Sequence, residues 1–357
     1  MRLCIVPLLA TSILNQTKLI KKLAEEKGHE VILRNYVGVQ DLMAHLADAY
    51  LWFTVAAGYF LADHVTSYLM CRDRKAWYVT IEGIPSRDYI IHSNIARAEF
   101  IANSRFTAWC LSRAGLKVID IVHHGIDPAD VEAAKQLGEM LRKKLEQEAG
   151  DRVKLLYVGR VDPRKGLDKL ARAIEILNQK RPNDFVLYMV TQNVSDENLQ
   201  RLLAQPNVKL VFEFGSKSHR YVLAFMYACD YLVFPSKSEG FGLPVLEANA
   251  VGRPVIHVWM PPLEEFSSKE FNFVFPYADQ TYVKIRSGQY WVMHEYEPEW
   301  LADMIEYAID VYKNSRAEYE EYCHKAEEHA KQWDYRKVYQ KLLRHLGLEE
   351  ESEEELT

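Results

Sequence analysis

A chain of 357 residues, 48% hydrophobic and 26% charged, is long enough for two domains of ordinary size and has the composition of a soluble globular protein. Six glutamates near the end (Glu349, Glu350, Glu351, Glu353, Glu354, Glu355) account for the whole formal charge of −6, so the body is balanced and has no basic field to recruit nucleic acid. Cys4, Cys71, Cys110, Cys229 and Cys323 are scattered singly, and MRLCIVPLLA runs straight into a lysine-rich stretch; both argue against a disulfide scaffold or a secretory leader, and the expectation is a reduced, cytoplasmic protein.

RLCIVP at 2–7 reads as an opening strand. Over 15–27, Leu19, Ile20, Leu23 and Ala24 make an apolar helical stripe against Lys18, Lys21, Lys22 and Lys27; Gly28 ends the helix and EVIL at 30–33 completes a β-α-β unit. The most apolar run, YLWFTVAAGYFLA at 50–62, has 13 residues, too few to cross a bilayer, and is expected as a buried strand or helix. AWYVTI at 76–81 is a further strand leading into Glu82-Gly83-Ile84-Pro85, and FIANS at 100–104 opens a strand and then a helix that stops at Gly115. In the VIDIVHHGID that follows, His123 and His124 lack an acidic cluster at ligand spacing and read as turn residues rather than zinc ligands. A charged helix at 131–148 has the composition of a linker.

VKLLYV at 153–158 is a nearly continuous apolar strand of the sort that parallel sheets bury. In the loop after it, Gly159-Arg160-Val161-Asp162-Pro163-Arg164-Lys165-Gly166, the glycine spacing does not match the phosphate loop of nucleoside triphosphatases. Arg160 and Lys165 nevertheless converge on the carboxyl end of a strand, where open α/β sheets bind ligands. Strand and helix then alternate through 185–190, 195–204, 208–212, 219–228 and 231–234, which argues a doubly wound sheet.

FPSKSEGFGLPVLEANAVGRP at 234–254 compresses a strand end, a glycine loop and a helix start. Pro244 suits the first helical position, and the unpaired amides at Gly242, Leu243 and just beyond form, with the helix dipole, an anion site. Glu239 and Glu247 bracket that site; carboxylates there are poor phosphate ligands but good acceptors for sugar hydroxyls. Residues 259–300 are rich in aromatics (Phe266, Phe271, Phe273, Phe275, Tyr277, Tyr282, Tyr290, Trp291, Tyr296), either as packing or as platforms for the C–H faces of sugars. Amphipathic helices at 299–312 and 316–346 precede the acidic tail, which is expected to be disordered.

PSKSEGFGLPVLEANAVGRPVI, together with KGHEV, FIANS, VIDIVHHGID and the glycine-arginine to lysine-glycine loop, resembles the donor-binding signature of family 4 retaining glycosyltransferases, the glycosyl transferases group 1. The resemblance implies an α/β GT-B fold with two Rossmann-like doubly wound domains facing across a cleft. Residues 1–148 would be the N-terminal acceptor-side domain and linker, 149–315 the nucleotide-sugar-binding domain, 316–348 a helix crossing back to the first domain, and 349–357 the tail. It implies metal-independent transfer of a hexose from a UDP-, GDP- or ADP-sugar with retention, the leaving phosphate assisting deprotonation of the acceptor. No cofactor is implied, the acceptor is an undetermined glycan, lipid or protein, and membrane contact is at most peripheral. With no Asp-x-Asp in the sequence, fixed cations and a helix start must stabilise the leaving diphosphate.

Carried over residue by residue, Arg160 and Lys165 hold the diphosphate, Gly240, Phe241, Gly242 and Leu243 form the phosphate-side loop, and Glu239 and Glu247 accept donor-sugar and ribose hydroxyls. Phe214 belongs to the nucleobase loop, Phe214-Gly215-Ser216. Two departures stand out. LLATSILNQ replaces the family's glycine-rich loop, so its part falls to Thr11, Ser12 or Asn15 or is absent, and Glu82 stands where many members carry a cleft histidine, either as a hydroxyl or proton acceptor or as a plain turn residue. Two rival readings are a nucleotide-sugar epimerase, against which the Glu239 and Glu247 pair argues, and a GT-B scaffold without acceptor chemistry, against which the retained donor residues argue.

Overall fold

The computed structural model describes residues 1–58 and 61–349; Tyr59, Phe60 and 350–357 lie outside it, and with them part of the apolar run at 50–62 and nearly all of the acidic tail. The first half folds on β1 (Arg2–Pro7), β2 (Glu30–Leu33), β3 (Ala49–Val55) and β4 (Arg74–Thr80), followed by the short β5 (Gly83–Pro85), then β6 (Glu99–Ala102) and β7 (Lys117–Ile121). Its sheet is parallel in the order β2-β1-β3-β4-β6-β7, with β5 standing outside it. β3 shows why a continuous apolar run becomes a strand here: AYLWFT is buried on both faces, as a parallel sheet covered by helices requires.

The second half repeats the design with β8 (Val153–Val158), β9 (Phe185–Thr191), β10 (Val208–Glu213), β11 (Tyr231–Phe234), β12 (Val255–Val258) and β13 (Phe273–Phe275). Their parallel order, β10-β9-β8-β11-β12-β13, reverses direction between β8 and β11. At such a reversal the loops leaving adjacent strands diverge to opposite faces and open a crevice at the carboxyl ends. The loops after β8 and β11 carry Arg160, Lys165 and Glu239, and the helix Leu243–Ala250 that follows the second loop carries Glu247.

The aromatic-rich stretch resolves into packing and one cross-domain device. Phe266, Phe271, Phe273, Phe275 and Tyr296 are buried, whereas β14 (Asp279–Ile285) and β15 (Gln289–Glu295) form an antiparallel hairpin whose second strand pairs with β5 of the first half. The register sets Gln289 against Pro85, Tyr290 against Ile84 and Trp291 against Gly83. Gly83 is needed for contact: a Cβ there would lie 1.9 Å from the Tyr290 carbonyl oxygen.

Two helices differ from the sequence expectation. The helix with linker composition runs Pro128–Ala149 and packs along the helix His219–Ala228, placing Val131, Ala134, Leu145 and Ala149 in the second core. Gly138 allows that approach, since a Cβ there would meet the Tyr227 ring at 2.6 Å. The expected single helix at 316–346 breaks after Arg316–Ala330. Asp334 accepts the Arg336 amide at 2.9 Å to start a new turn, while Ile126 and Tyr335 exchange backbone bonds with the chain beside it. The redirected segment buries Tyr335, Tyr339, Leu342, Leu343 and Leu346 against the first sheet.

Candidate active site

The loop after β8 closes with Asp162 accepting the Arg164 amide at 3.1 Å and Pro163 opening the short turn Pro163–Lys165. Gly166 follows at φ +71°, in van der Waals contact with Pro235; a Cβ there would come 2.0 Å from the Pro235 carbonyl oxygen. This tight seating of one loop on the other brings both side chains of the turn onto Glu239. Lys165 Nζ is 2.5 Å from Oε1 and Arg164 Nη1 is 3.5 Å from Oε2, while Ser236 donates its hydroxyl to Oε1 at 2.6 Å. Arg164 also reaches Glu82 at 3.4 Å and the Ser238 carbonyl at 3.1 Å, so Glu82 is joined to the cluster across the crevice.

Glu239 is buried, which by itself raises a carboxyl pKa; Lys165 and then Arg164 outweigh burial and hold it below its ordinary value of 4.5. Burial likewise pulls Lys165 down, against the attraction of Glu239. The carboxylate is therefore ionised and oriented in advance. Arg160 is different: its side chain is exposed at the end of β8 and makes no ion pair or hydrogen bond among the described residues.

Gly240 and Phe241 are sunk into the contact between the halves. The Gly240 carbonyl accepts from Ser104 at 2.9 Å and from Thr107 at 3.3 Å, and a Cβ there would strike the Thr80 hydroxyl at 2.2 Å. Phe241 stacks on Phe266 with centroids 4.7 Å apart and touches the His124 ring at 4.9 Å. Gly242, at φ +96°, opens the helix Leu243–Ala250 without a side-chain cap, and Leu243 is buried.

His123 and His124 serve this contact. Burial drives His124 down to about 3, so the ring is neutral, and its partners define the tautomer. The Tyr78 hydroxyl donates to the Val122 carbonyl at 2.7 Å and so accepts from Nδ1–H at 2.9 Å, leaving Nε2 to accept from Asn103 at 3.2 Å. His123 Nε2 lies 2.8 Å from Glu265, which also accepts the backbone amides of Arg105 at 2.9 Å and Phe106 at 3.1 Å. A carboxylate from one half thus caps a helix start in the other. Among the described residues no group of three or more His, Cys, Asp or Glu side chains is placed to hold a metal.

Glu247, one turn into its helix, accepts from His219 Nε2 at 2.7 Å through Oε1. A cavity opens beside this pair, lined by Asn15 and Gln16 of the helix Thr11–Glu26, by Asp127 and Asp130, and by His219. Thr11 and Ser12 are exposed at the start of that helix, which begins a turn earlier than its apolar stripe. Phe214 is half-buried after β10, its amide bonded to the Thr191 carbonyl at 3.1 Å.

Four contributors escaped the sequence reading: Arg164, Ser236, His219 and Glu265. Asp162-Pro163 was the available signal for Arg164, because a cap followed by proline starts a tight turn that swings the next two side chains together. His219 and Glu247 are far apart in the chain and share no local pattern.

The profile described as glycosyl transferases group 1 matches residues 141–333. An uncharacterized glycosyltransferase of Sulfolobus islandicus rod-shaped virus 1 is 32% identical over 284 residues, covering 79% of this chain and 83% of the viral protein. Two solved structures share the fold. Anabaena HepE in complex with UDP and glucose has TM-score 0.69 at 16% identity, covering 97% of this chain and 99% of its own. A glycosyltransferase from Rickettsia africae has TM-score 0.72 at 15% identity, covering 98% and 99%. With two Rossmann-like sheets facing across this crevice, the fold is GT-B, and the chain belongs to the glycosyl transferases group 1 family and is a glycosyltransferase.

Proposed function

We propose that the chain is a retaining, metal-independent hexosyltransferase of family 4 that uses a nucleotide-diphosphate sugar. The observation that carries the reading is the Glu239 cluster: two cations on one turn, Lys165 and Arg164, meet a buried carboxylate at the mouth of an uncapped helix start. Breaking the bond from the anomeric carbon to the diphosphate leaves negative charge on the departing phosphates. Lys165, the exposed Arg160 and the amides from Gly242 onward offset that charge without reorganisation at the moment of reaction.

Glu239, held ionised, takes the hydroxyls of the donor hexose, and Glu247 takes those of the ribose. In this reading Glu239 is an orienting group, not a covalent nucleophile. The leaving phosphate takes the acceptor proton on the same face, which preserves the anomeric configuration. Anabaena HepE has been solved with UDP, with UDP and glucose, and with UDP-glucose, so uridine is the base to test first. Glu82, tied to Arg164 rather than free in the crevice, couples the first half to the donor cluster. The two-domain division near residue 148, the cytoplasmic setting and the absence of a cofactor belong to the same proposal; no helix of the described residues is long and apolar enough to cross a membrane.

The test is to incubate the protein with UDP-, GDP- and ADP-sugars and follow release of the nucleoside diphosphate, with and without a chelator. The reading expects release from one donor class, unchanged by chelation, and an axial product when the donor is axial, read from the anomeric proton coupling. Release that a chelator abolishes would overturn metal independence, and an inverted product would overturn retention.

A further inference from the structure

The helix Leu243–Ala250 is buried nearly all round, yet the Oε2 atom of its Glu247 has no hydrogen-bond partner among the described residues, while Oε1 is committed to His219. His219 is the first residue of the helix His219–Ala228, held there by Ser218, whose hydroxyl accepts the Tyr221 amide at 3.3 Å. Its ring faces the cavity that the helix Thr11–Glu26 closes from the other half. Three charged groups face it: Glu247 from its own half's buried helix, Asp130 from the helix Pro128–Ala149 and Lys18 from the helix Thr11–Glu26. Arg220 beside it is paired with Asp130, and Asp127 is paired with Lys22. Burial pulls the His219 pKa down, but Glu247 outweighs burial and raises it above the ordinary 6.5.

We propose that His219 is a positioning residue for donor binding: its Nε2–H fixes one oxygen of Glu247 so that the other is presented to the ribose hydroxyls, and its charge balances Glu247 beside an anionic ligand. The proposal rests on the nucleotide-sugar reading above. Loss of the proton leaves a neutral ring that can still donate from Nε2 to the carboxylate, but the attraction between two opposite charges is lost and the bond weakens. Nucleotide affinity therefore falls as pH rises through the raised value of His219. Glutamine at this position offers an N–H donor that does not titrate.

The experiment measures dissociation constants of the full chain for UDP, GDP, ADP and their 2′,3′-dideoxy counterparts from about pH 6 to about pH 9, a range spanning histidine titration. The wild type is expected to prefer the ribose form of one nucleotide by about tenfold or more, the worth of one charged hydrogen bond. His219→Ala removes most of that preference, whereas His219→Gln keeps it near neutral pH and loses the pH dependence. Titration of the nucleotide's own terminal phosphate is common to all variants and cancels. If His219→Ala binds the ribose form with wild-type preference and wild-type pH dependence, the assignment is overturned while the donor reading stands. Failure of the wild type to bind any of the three nucleotides overturns both. Should His219→Ala not fold, the ribose-over-dideoxy preference of His219→Gln decides alone: a preference flat with pH supports the role, and a wild-type pH dependence refutes it.

Discussion

Lys165 and Arg164 leave the same three-residue turn and meet Glu239 from two sides, with Ser236 filling a further acceptor position. Removing one member of a buried charge cluster leaves the others uncompensated, at a cost of about 3–5 kcal/mol. Lys165→Ala is therefore expected to lower both the melting temperature and kcat/KM, the latter by ten- to several-hundredfold, on the order of one buried charged contact. Glu239→Gln separates orientation from charge. Because the folded-state pKa of Glu239 is depressed, its stabilisation is complete above its ordinary 4.5 and is lost as pH falls through the lower folded value. Acid unfolding followed by circular dichroism should show the wild type losing this advantage over Glu239→Gln only below about pH 4.5; equal acid sensitivity of the two would contradict the ion pairing. At this scale the chemistry-bearing types were legible, since Lys165, Glu239 and Glu247 stand in one contiguous signature each. Arg164 and His219 were not, because which side chain of a turn points inward, and which distant ring meets a carboxylate, is decided by packing.

The central strands could be read because parallel strands buried on two faces are continuous apolar runs, as VKLLYV and YLVF are, whereas the edge strands β7, half-exposed, and β13, three residues long, could not. The pairing of β15 with β5 could not. β5 is three residues long, its partner lies some two hundred positions away, and neither strand carries a signal for the other. That antiparallel pair ties the two halves together beside Glu82, whose carbonyl accepts the Val292 amide at 3.2 Å. Gly83→Ala forces its methyl into the Tyr290 carbonyl and should separate the strands. The expected outcome is amide exchange at Val292 and Ser86 accelerated by at least about tenfold, with exchange in β8 and β9 unchanged. Glu265 works at the same scale as a cap donated across the contact. Glu265→Ala leaves the Arg105 and Phe106 amides without it and should cost about 1–3 kcal/mol in urea unfolding, with Glu265→Gln recovering part of the loss.

The whole molecule is two parallel sheets of different strand order, β2-β1-β3-β4-β6-β7 and β10-β9-β8-β11-β12-β13, held face to face by several independent devices. These are the Gly240 carbonyl on Ser104 and Thr107, the Glu265 cap, the β5–β15 pair, and the segment from Tyr335 onward that returns to the first sheet. Their joint effect is to fix the loop after β11 against Thr80 and Ser104, at the carboxyl ends of β4 and β6. The doubly wound sheet was legible in the strand-helix alternation, and the GT-B architecture in the resemblance of residues 159–166 and 234–254 to the family's donor signature. The close apposition of the halves was not, since it depends on single contacts such as Gly240 against Thr80.

Thermal unfolding with UDP-glucose, GDP-mannose and ADP-glucose, in the wild type and in Lys165→Ala, tests the central claim most directly. A donor present at about 100 times its dissociation constant should add about 2.7 kcal/mol to the wild-type native state and little to the variant. A folded wild type that none of the three donors stabilises would contradict a nucleotide-sugar transferase built on this crevice.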